Sequence, residues 1–277
     1  MKLRAGTRKI ATLNGMNLKR PSDLIGRLPT VSFSIEDLLL VRGEPADRRL
    51  FMDTSLCQLY PSYLGHLAGY RRALEQRNAL LKHAQESYVD SEQFGVWETD
   101  LAHHGTALRS ARAQFVASLG VEATKLHAEM ANGETLGLLY EPKEASGDLL
   151  EHYQSQRPRE IQRGTTQVGP HRDDIDVQVS EKDARLYGSQ GQQRTAAVAI
   201  KMACLAITRD ILGVEPVLLM DDIFAELDVH RRARLVEVAR RHAGQVLLTC
   251  TEAEQAGPEF LNEAQLFHVN SGRVVQV

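Results

Sequence analysis

The chain has 277 residues, 43% hydrophobic and 25% charged, with a formal net charge of −3, an ordinary globular balance with room for one large or two ordinary domains. A net negative chain does not coat nucleic acid by bulk electrostatics, so any such contact must rest on local clusters of positive charge. No uncharged apolar run approaches the roughly twenty residues of a membrane span, and Met1–Gly6 lacks a signal-peptide core; the expectation is a cytoplasmic protein with no membrane partner. Cys57, Cys204 and Cys250 lie far apart without C-x-x-C spacing, which predicts neither a disulfide nor a metal cluster. Adjacent helical positions point about 100° apart, so His103-His104 reads as surface rather than ligand.

In chain order, Arg8–Gly15 predicts a strand closed by an Asn-Gly turn. Pro21–Gly26 reads as a short helix with a glycine stop, and Pro29–Ser34 as a second strand. Ser34 fits an N-cap, with Glu36 and Asp37 in the first helical turn. From Pro45 to about Pro158 apolar residues recur at three- and four-residue steps: Tyr63, Leu67, Tyr70, Leu74 and Leu81, then Phe94, Trp97, Leu101, Leu108, Phe115 and Leu119. That periodicity predicts antiparallel helices, with links around Tyr88–Ser91 and Gly120-Val121. No sustained heptad marks an extended coiled coil, and the aromatic stripe reads as core rather than a nucleobase platform. A helix through about Arg157 precedes an alternating strand at Ile175–Val179, turned back at Glu181–Asp183.

Positive charge gathers at Arg48 and Arg49; at Arg71, Arg72, Arg77 and Lys82; and at Arg157, Arg159, Arg163 and Arg172 with His171. Such runs are usually solvated faces. The last group, beside Gly164-Thr165-Thr166, is the candidate for phosphate contact with DNA.

Two signals fall between Tyr187 and Asp228. Tyr187–Thr195 is a small-residue, amide-rich loop that opens a strongly helical run, Ala196–Ala206. Ser189 there serves equally as a plain cap or as part of an anion site made of a hydroxyl, unpaired N–H groups and a positive dipole end. Val217–Met220 is a fully apolar strand ending in Asp221-Asp222, followed by Glu226-Leu227-Asp228. A parallel sheet presents acids in this way at its carboxyl edge. A predicted helix from about His230 to His242 and a strand at Gln245–Cys250 complete a β-α-β unit, and Leu266–Val277 closes the chain as a hairpin.

Gly169–Asp174, Tyr187–Thr195, Leu218–Asp222 and Glu226–Asp228, in this order, resemble the ATPase heads of the ABC type. Among these the pattern is most similar to the RecF family of bacterial recombination and replication-repair proteins. The resemblance implies an α/β head of the P-loop NTPase class with an inserted helical arm. Residues 1–44 would be a remnant of the amino-terminal lobe, 45–158 the arm, and 159–277 the carboxyl-terminal lobe with signature, Walker B and D-loop motifs. It implies ATP and Mg²⁺ as cofactors. Asp221 would hold Mg²⁺ through water, and Asp222 would stand, with shorter reach, where many such heads place a water-polarising glutamate. Ser189, Gln190, Gly191 and Gln192 would reach across a head-to-tail homodimer to a γ-phosphate held by the other chain, and Asp228 would contact the partner subunit. Phe33–Leu38 looks like the nucleotide-sensing loop, and Thr251 takes the place of a phosphate-sensing histidine. The function implied is ATP-controlled binding to single-stranded DNA and duplex or gap junctions. With recombination mediators of the RecO and RecR type it would load a recombinase in replication, repair and SOS signalling.

One departure bears on that reading. A phosphate-cradling loop needs G-x-x-x-x-G-K-[S/T], and no glycine in this chain precedes a lysine. The family carries that loop near its amino terminus, so the chain reads as lacking that segment through a misplaced start, a split gene or a genuine truncation. ATP binding by this chain alone is expected to be poor. The competing reading is a non-catalytic adaptor, or remnant, that binds recombination partners without ATP; a generic nucleotide kinase leaves Ser189–Gln192 without a role.

Overall fold

The computed structural model describes residues 11–131, 133–143, 147–257 and 261–277. Strands β1 (Thr12–Leu13) and β2 (Met16–Asn17) form a hairpin whose turn places Asn14 at φ 49° and Gly15 at φ 81°. These are the two left-handed positions a tight hairpin requires, and Asn-Gly supplies them at least steric cost. Residues 8–10 of the expected strand lie outside the described residues. A 3-10 turn at Pro21–Leu24 and β3 (Thr30–Phe33) follow the sequence reading. Next come a 3-10 turn at Ile35–Leu38 and α1 (Leu39–Arg42). Asp37 closes that turn by accepting from the Ser34 N–H at 2.8 Å.

A helical block follows, of α2 (Pro45–Leu59), α3 (Pro61–His83) and α4 (Ser91–Ala128). Pro45 and Pro61 each open a helix, where a missing N–H costs nothing. The link between α3 and α4 falls where the sequence puts it. The expected second link at Gly120-Val121 is absent, because α4 runs unbroken for 38 residues. Gly120 lies against β4 (Leu136–Glu141), and the Thr124 hydroxyl sits 2.7 Å from the Gly120 carbonyl and 2.6 Å from that of Leu136. Contact with the sheet overrides the glycine's low helix propensity.

Helix α5 (Leu149–Arg163) continues through Pro158 and stops at Gly164, φ 67°. The 158/159 boundary therefore falls inside a helix. Strands β5 (Asp174–Val179) and β6 (Lys182–Asp183) are joined by Ser180 and Glu181 at φ 50° and 63°. Then come α6 (Ala184–Tyr187), α7 (Gln190–Leu212), β7 (Val217–Asp221), a 3-10 turn at Ile223–Glu226, and α8 (Val229–His242). Strand β8 (Gln245–Thr249) and the hairpin of β9 (Phe267–Asn270) and β10 (Arg273–Gln276) complete the chain.

One sheet is parallel, in the order β3-β7-β8, and the second is antiparallel, β4-β5-β6. The unit β7-α8-β8 is the expected crossover. Helix α7 lies between two cores: Ala196, Ala199, Ile200 and Ala203 join α2–α4, β4 and β5, whereas Val198, Met202 and Leu205 join β3, β7 and α8. Its alanines let both neighbours approach closely, which explains why every residue from Thr195 to Thr208 is buried. No helix among the described residues is long and apolar enough to cross a membrane.

Candidate functional site

The start of α7 is built by reciprocal capping. Ser189 Oγ accepts from the Gln192 N–H at 3.3 Å, and Gln192 Oε1 accepts from the Ser189 N–H at 2.7 Å, a capping box with glutamine as its third residue. Gln192 is further fixed by Nε2, which donates to Glu134 at 2.7 Å. Ser189, Gln190 and Gly191 are exposed. A Cβ on Gly191 would meet nothing closer than 3.9 Å, so the helix opening presents backbone to whatever approaches it.

The acids stand at the carboxyl end of β7, the central strand of the parallel sheet. Asp221 is exposed and pairs in register with Thr249, whose hydroxyl donates to Asp221 Oδ1 at 2.5 Å. Asp222 adopts the left-handed conformation, φ 50°, which aspartate tolerates better than most residues. Its N–H donates to the Thr249 carbonyl at 3.2 Å, while its Oδ1 is buried with no hydrogen-bond partner among the described residues. An orphaned carboxylate oxygen costs about 1–3 kcal/mol, and such strain gathers at functional sites. The exposed Asp221 carboxylate and the unpartnered oxygen of Asp222 are hard oxygen donors, the kind of ligand that Mg²⁺ takes. Thr249 was not singled out from the sequence; only strand pairing reveals it.

Arg231 is the second residue that sequence reasoning missed. Asp228 caps α8 by accepting from the Arg231 N–H at 3.0 Å, and its carboxylate also pairs with the Arg231 guanidinium. The same guanidinium donates from Nε to Thr195 Oγ1 at 2.8 Å and approaches the Gly191 carbonyl at 3.4 Å. One side chain therefore ties Asp228 to the first turn of α7. The backbone N–H of Arg231, and then its charge, hold the Asp228 carboxyl below the usual carboxylate range. Asp37 makes a comparable tie further along α7, where its carboxylate meets Lys201 at 3.0 Å.

No protein-family model matches the chain. It is 36% identical to the DNA replication and repair protein RecF of Crocosphaera subtropica, over 99% of this chain and 77% of that relative. With the RecF of Symbiobacterium thermophilum the identity is 38%, over 99% and 76%. The chain belongs to the RecF family. Among solved structures it is similar to one described as the recombination mediator protein RecF-ATPrS in the RecFOR pathway, with a TM-score of 0.87, 27% identity, and 99% of this chain and 75% of that one covered. A second, described as RecF-ATP, gives 0.86 at the same identity, over 99% and 74%. The ABC-type α/β head expected from the motifs is the fold of this RecF-family chain.

In this RecF-family chain the Gly169–Asp174 motif turns most of its polar groups inward. Gly169, φ 126°, passes so close to two tyrosines that a Cβ would lie 2.4 Å from the Tyr70 hydroxyl. The Pro170 carbonyl accepts from Arg112 at 2.6 Å. The fully buried Asp173 accepts from Arg109 at 2.8 and 2.9 Å and from Tyr140 at 2.6 Å. Asp174 takes a forked pair from Arg48 at 2.7 and 2.8 Å. The motif is thus a staple between the helical block and β5; of the group expected to reach DNA, it holds Arg172, which stands exposed, and His171, which is half-buried.

Several basic candidates are engaged inside. Arg77, fully buried, meets Glu98 at 3.1 Å and Glu160 at 2.5 Å, and with Arg48 it leaves the set of surface cations. Arg157 bonds Glu98 at 2.5 Å and lies over the Phe94 ring at 5.1 Å. Arg159 and Arg163 are exposed, each 3.4 Å from a glutamine amide.

Proposed function

We propose that the chain acts as a RecF-type head in which ATP brings two copies together head to tail and so controls binding to single-stranded DNA and gap junctions. The supporting observation is the Arg231 tie: it holds the exposed turn at Ser189–Gly191 and the D-loop residue Asp228 as one surface. In this reading Ser189, Gln190, Gly191 and Gln192 meet the γ-phosphate of ATP bound to the partner copy, and Asp228 meets the partner subunit. Asp221 would hold Mg²⁺, which when bound neutralises charge between the phosphates, and Asp222 would stand beside it as the acid that orients the attacking water. Residues 45–158 serve as the arm and 159–277 as the carboxyl-terminal lobe, with α5 joining them. Recombinase loading with RecO- and RecR-type mediators, in the cytoplasm, is the setting this family membership favours.

The phosphate-cradling loop must come from outside these residues, because no glycine here precedes a lysine. That same fact favours the second reading, an adaptor that binds recombination partners without ATP. The test is a Mg-ATP titration, with molecular mass followed in parallel, on a chain supplied with the family's phosphate-loop segment. The expected result is nucleotide-driven dimerisation that Ser189→Arg abolishes while nucleotide binding persists. Normal dimers from Ser189→Arg would overturn the trans role of the signature turn; no nucleotide binding, and so no nucleotide-driven dimer, in the unmutated chain would favour the adaptor.

A further inference from the structure

Three histidines from two helices converge on the face of the helical block. His66 comes from α3, and His103 and His104 from α4; one ring nitrogen from each can be chosen so that all three lie within 4.8 Å of one another. His66 Nδ1 and His104 Nδ1 stand 3.1 Å apart. Two ligands on one ion at tetrahedral angles and metal–nitrogen distances of about 2.0–2.1 Å are separated by roughly 3.4 Å, so the closest pair already has nearly the spacing that a single ion imposes. His103 is exposed and the other two are half-buried, leaving His103 room to turn its ring toward the pair.

The backbone makes a seat for this cluster. Gly69, one turn beyond His66, runs directly beneath the His104 ring, where a Cβ would lie 2.2 Å from Nε2 and 2.6 Å from Cδ2. The glycine allows α3 and the ring to approach as they do.

We propose that His66, His103 and His104 form a binding site for a transition-metal dication, Zn²⁺ foremost, which clips α3 to α4 and leaves coordination positions open to water or to a ligand from a partner. Three imidazoles suit zinc, copper or nickel and not Mg²⁺, which takes oxygen ligands. The site is therefore chemically distinct from the acid pair at Asp221-Asp222. Neither the adjacency of His103 and His104 nor the lone His66 indicates it in the sequence, because the fold brings residues 66 and 104 together across two helices.

The test uses the tag-free chain, stripped with a chelator and titrated with Zn²⁺ by calorimetry in excess Mg²⁺, with Co²⁺ absorption as a second readout. The expected result is one Zn²⁺ per chain and a raised melting temperature. Affinity should fall at least tenfold in His66→Gln and in His104→Gln, and stoichiometric binding should vanish in the doubly substituted His103→Gln/His104→Gln chain. Gly69→Ala alters no ligand yet should weaken binding by displacing the His104 ring, and Asp221→Asn should leave it unchanged. Circular dichroism confirms that each variant is folded. Less than one equivalent bound by the unmutated chain, or stoichiometric binding by the folded double variant, would overturn the proposal.

Discussion

At Nε2, His171 donates to the Thr166 carbonyl 3.1 Å away, and at Nδ1 it accepts from the Tyr70 hydroxyl at 2.7 Å. The Thr166 carbonyl keeps a proton on Nε2, and the Tyr70 hydroxyl then serves the unprotonated Nδ1 of the neutral ring. Burial, then the charges of Arg172 and Arg49, push its pKa down to about 4 from an ordinary 6.5. Between those values the unfolded chain takes up a proton that the folded chain refuses, so this contribution is complete above pH 6.5 and is lost as the pH falls toward 4. A shift of this size corresponds to about 3 kcal/mol. Urea unfolding of His171→Gln at steps across that window should show a loss of stability about 2–3 kcal/mol smaller than in the unmutated chain; an identical loss would mean that other groups carry the acid sensitivity.

The elements follow local rules except where tertiary contact outweighs them, and α4 is the clearest case. Gly120 gives a stop signal that the helix ignores, because β4 lies alongside and the Thr124 hydroxyl bridges helix and strand carbonyls. A Cβ at Gly120 would meet Leu138 at 3.5–3.6 Å, ordinary contact. Gly120→Ala should therefore stabilise the fold by about 0.5–1 kcal/mol, read as a higher urea midpoint with unchanged slope. A fall in stability would show that the helix needs the glycine's freedom there. Helix α7 is the opposite case: its alanine run and serine cap predict it correctly, and the structure adds why alanine is required, with a core on each face.

For the whole molecule, the question is which positive charges reach solvent. Among the described residues, networks that draw arginines away from the surface include Arg77 and Arg157 around Glu98 and Glu160, and Arg112 with Asp53 at 2.8 Å. Breaking buried pairs of this kind costs several kcal/mol, about 3–5, so substitutions there report on folding rather than on DNA. The exposed Arg159, Arg163 and Arg172 are the proper probes of the proposed DNA contact. Reversing all three to Glu should leave the melting temperature nearly unchanged, weaken single-stranded DNA binding and flatten its log–log salt dependence by about 2–3 units. Unchanged affinity and slope would return these arginines to the solvated surface.

By itself the sequence determined the acid-bearing strand, the serine-capped helix α7, the Asn-Gly hairpin and the helical block, because each is set by contacts among near neighbours: apolar periodicity, capping side chains and turn glycines. The ordered motifs carried the family resemblance for the same reason. The tertiary structure alone decided that the Gly169–Asp174 motif is an internal staple, that Arg157 faces Glu98, that Thr249 serves Asp221, that Arg231 joins two motifs and that His66 meets His104. Each of these depends on which side chains, distant in the chain, share one small volume. Burial then decides their chemistry, since an arginine beside a buried carboxylate is part of the core, whereas the same residue in water is a site for phosphate.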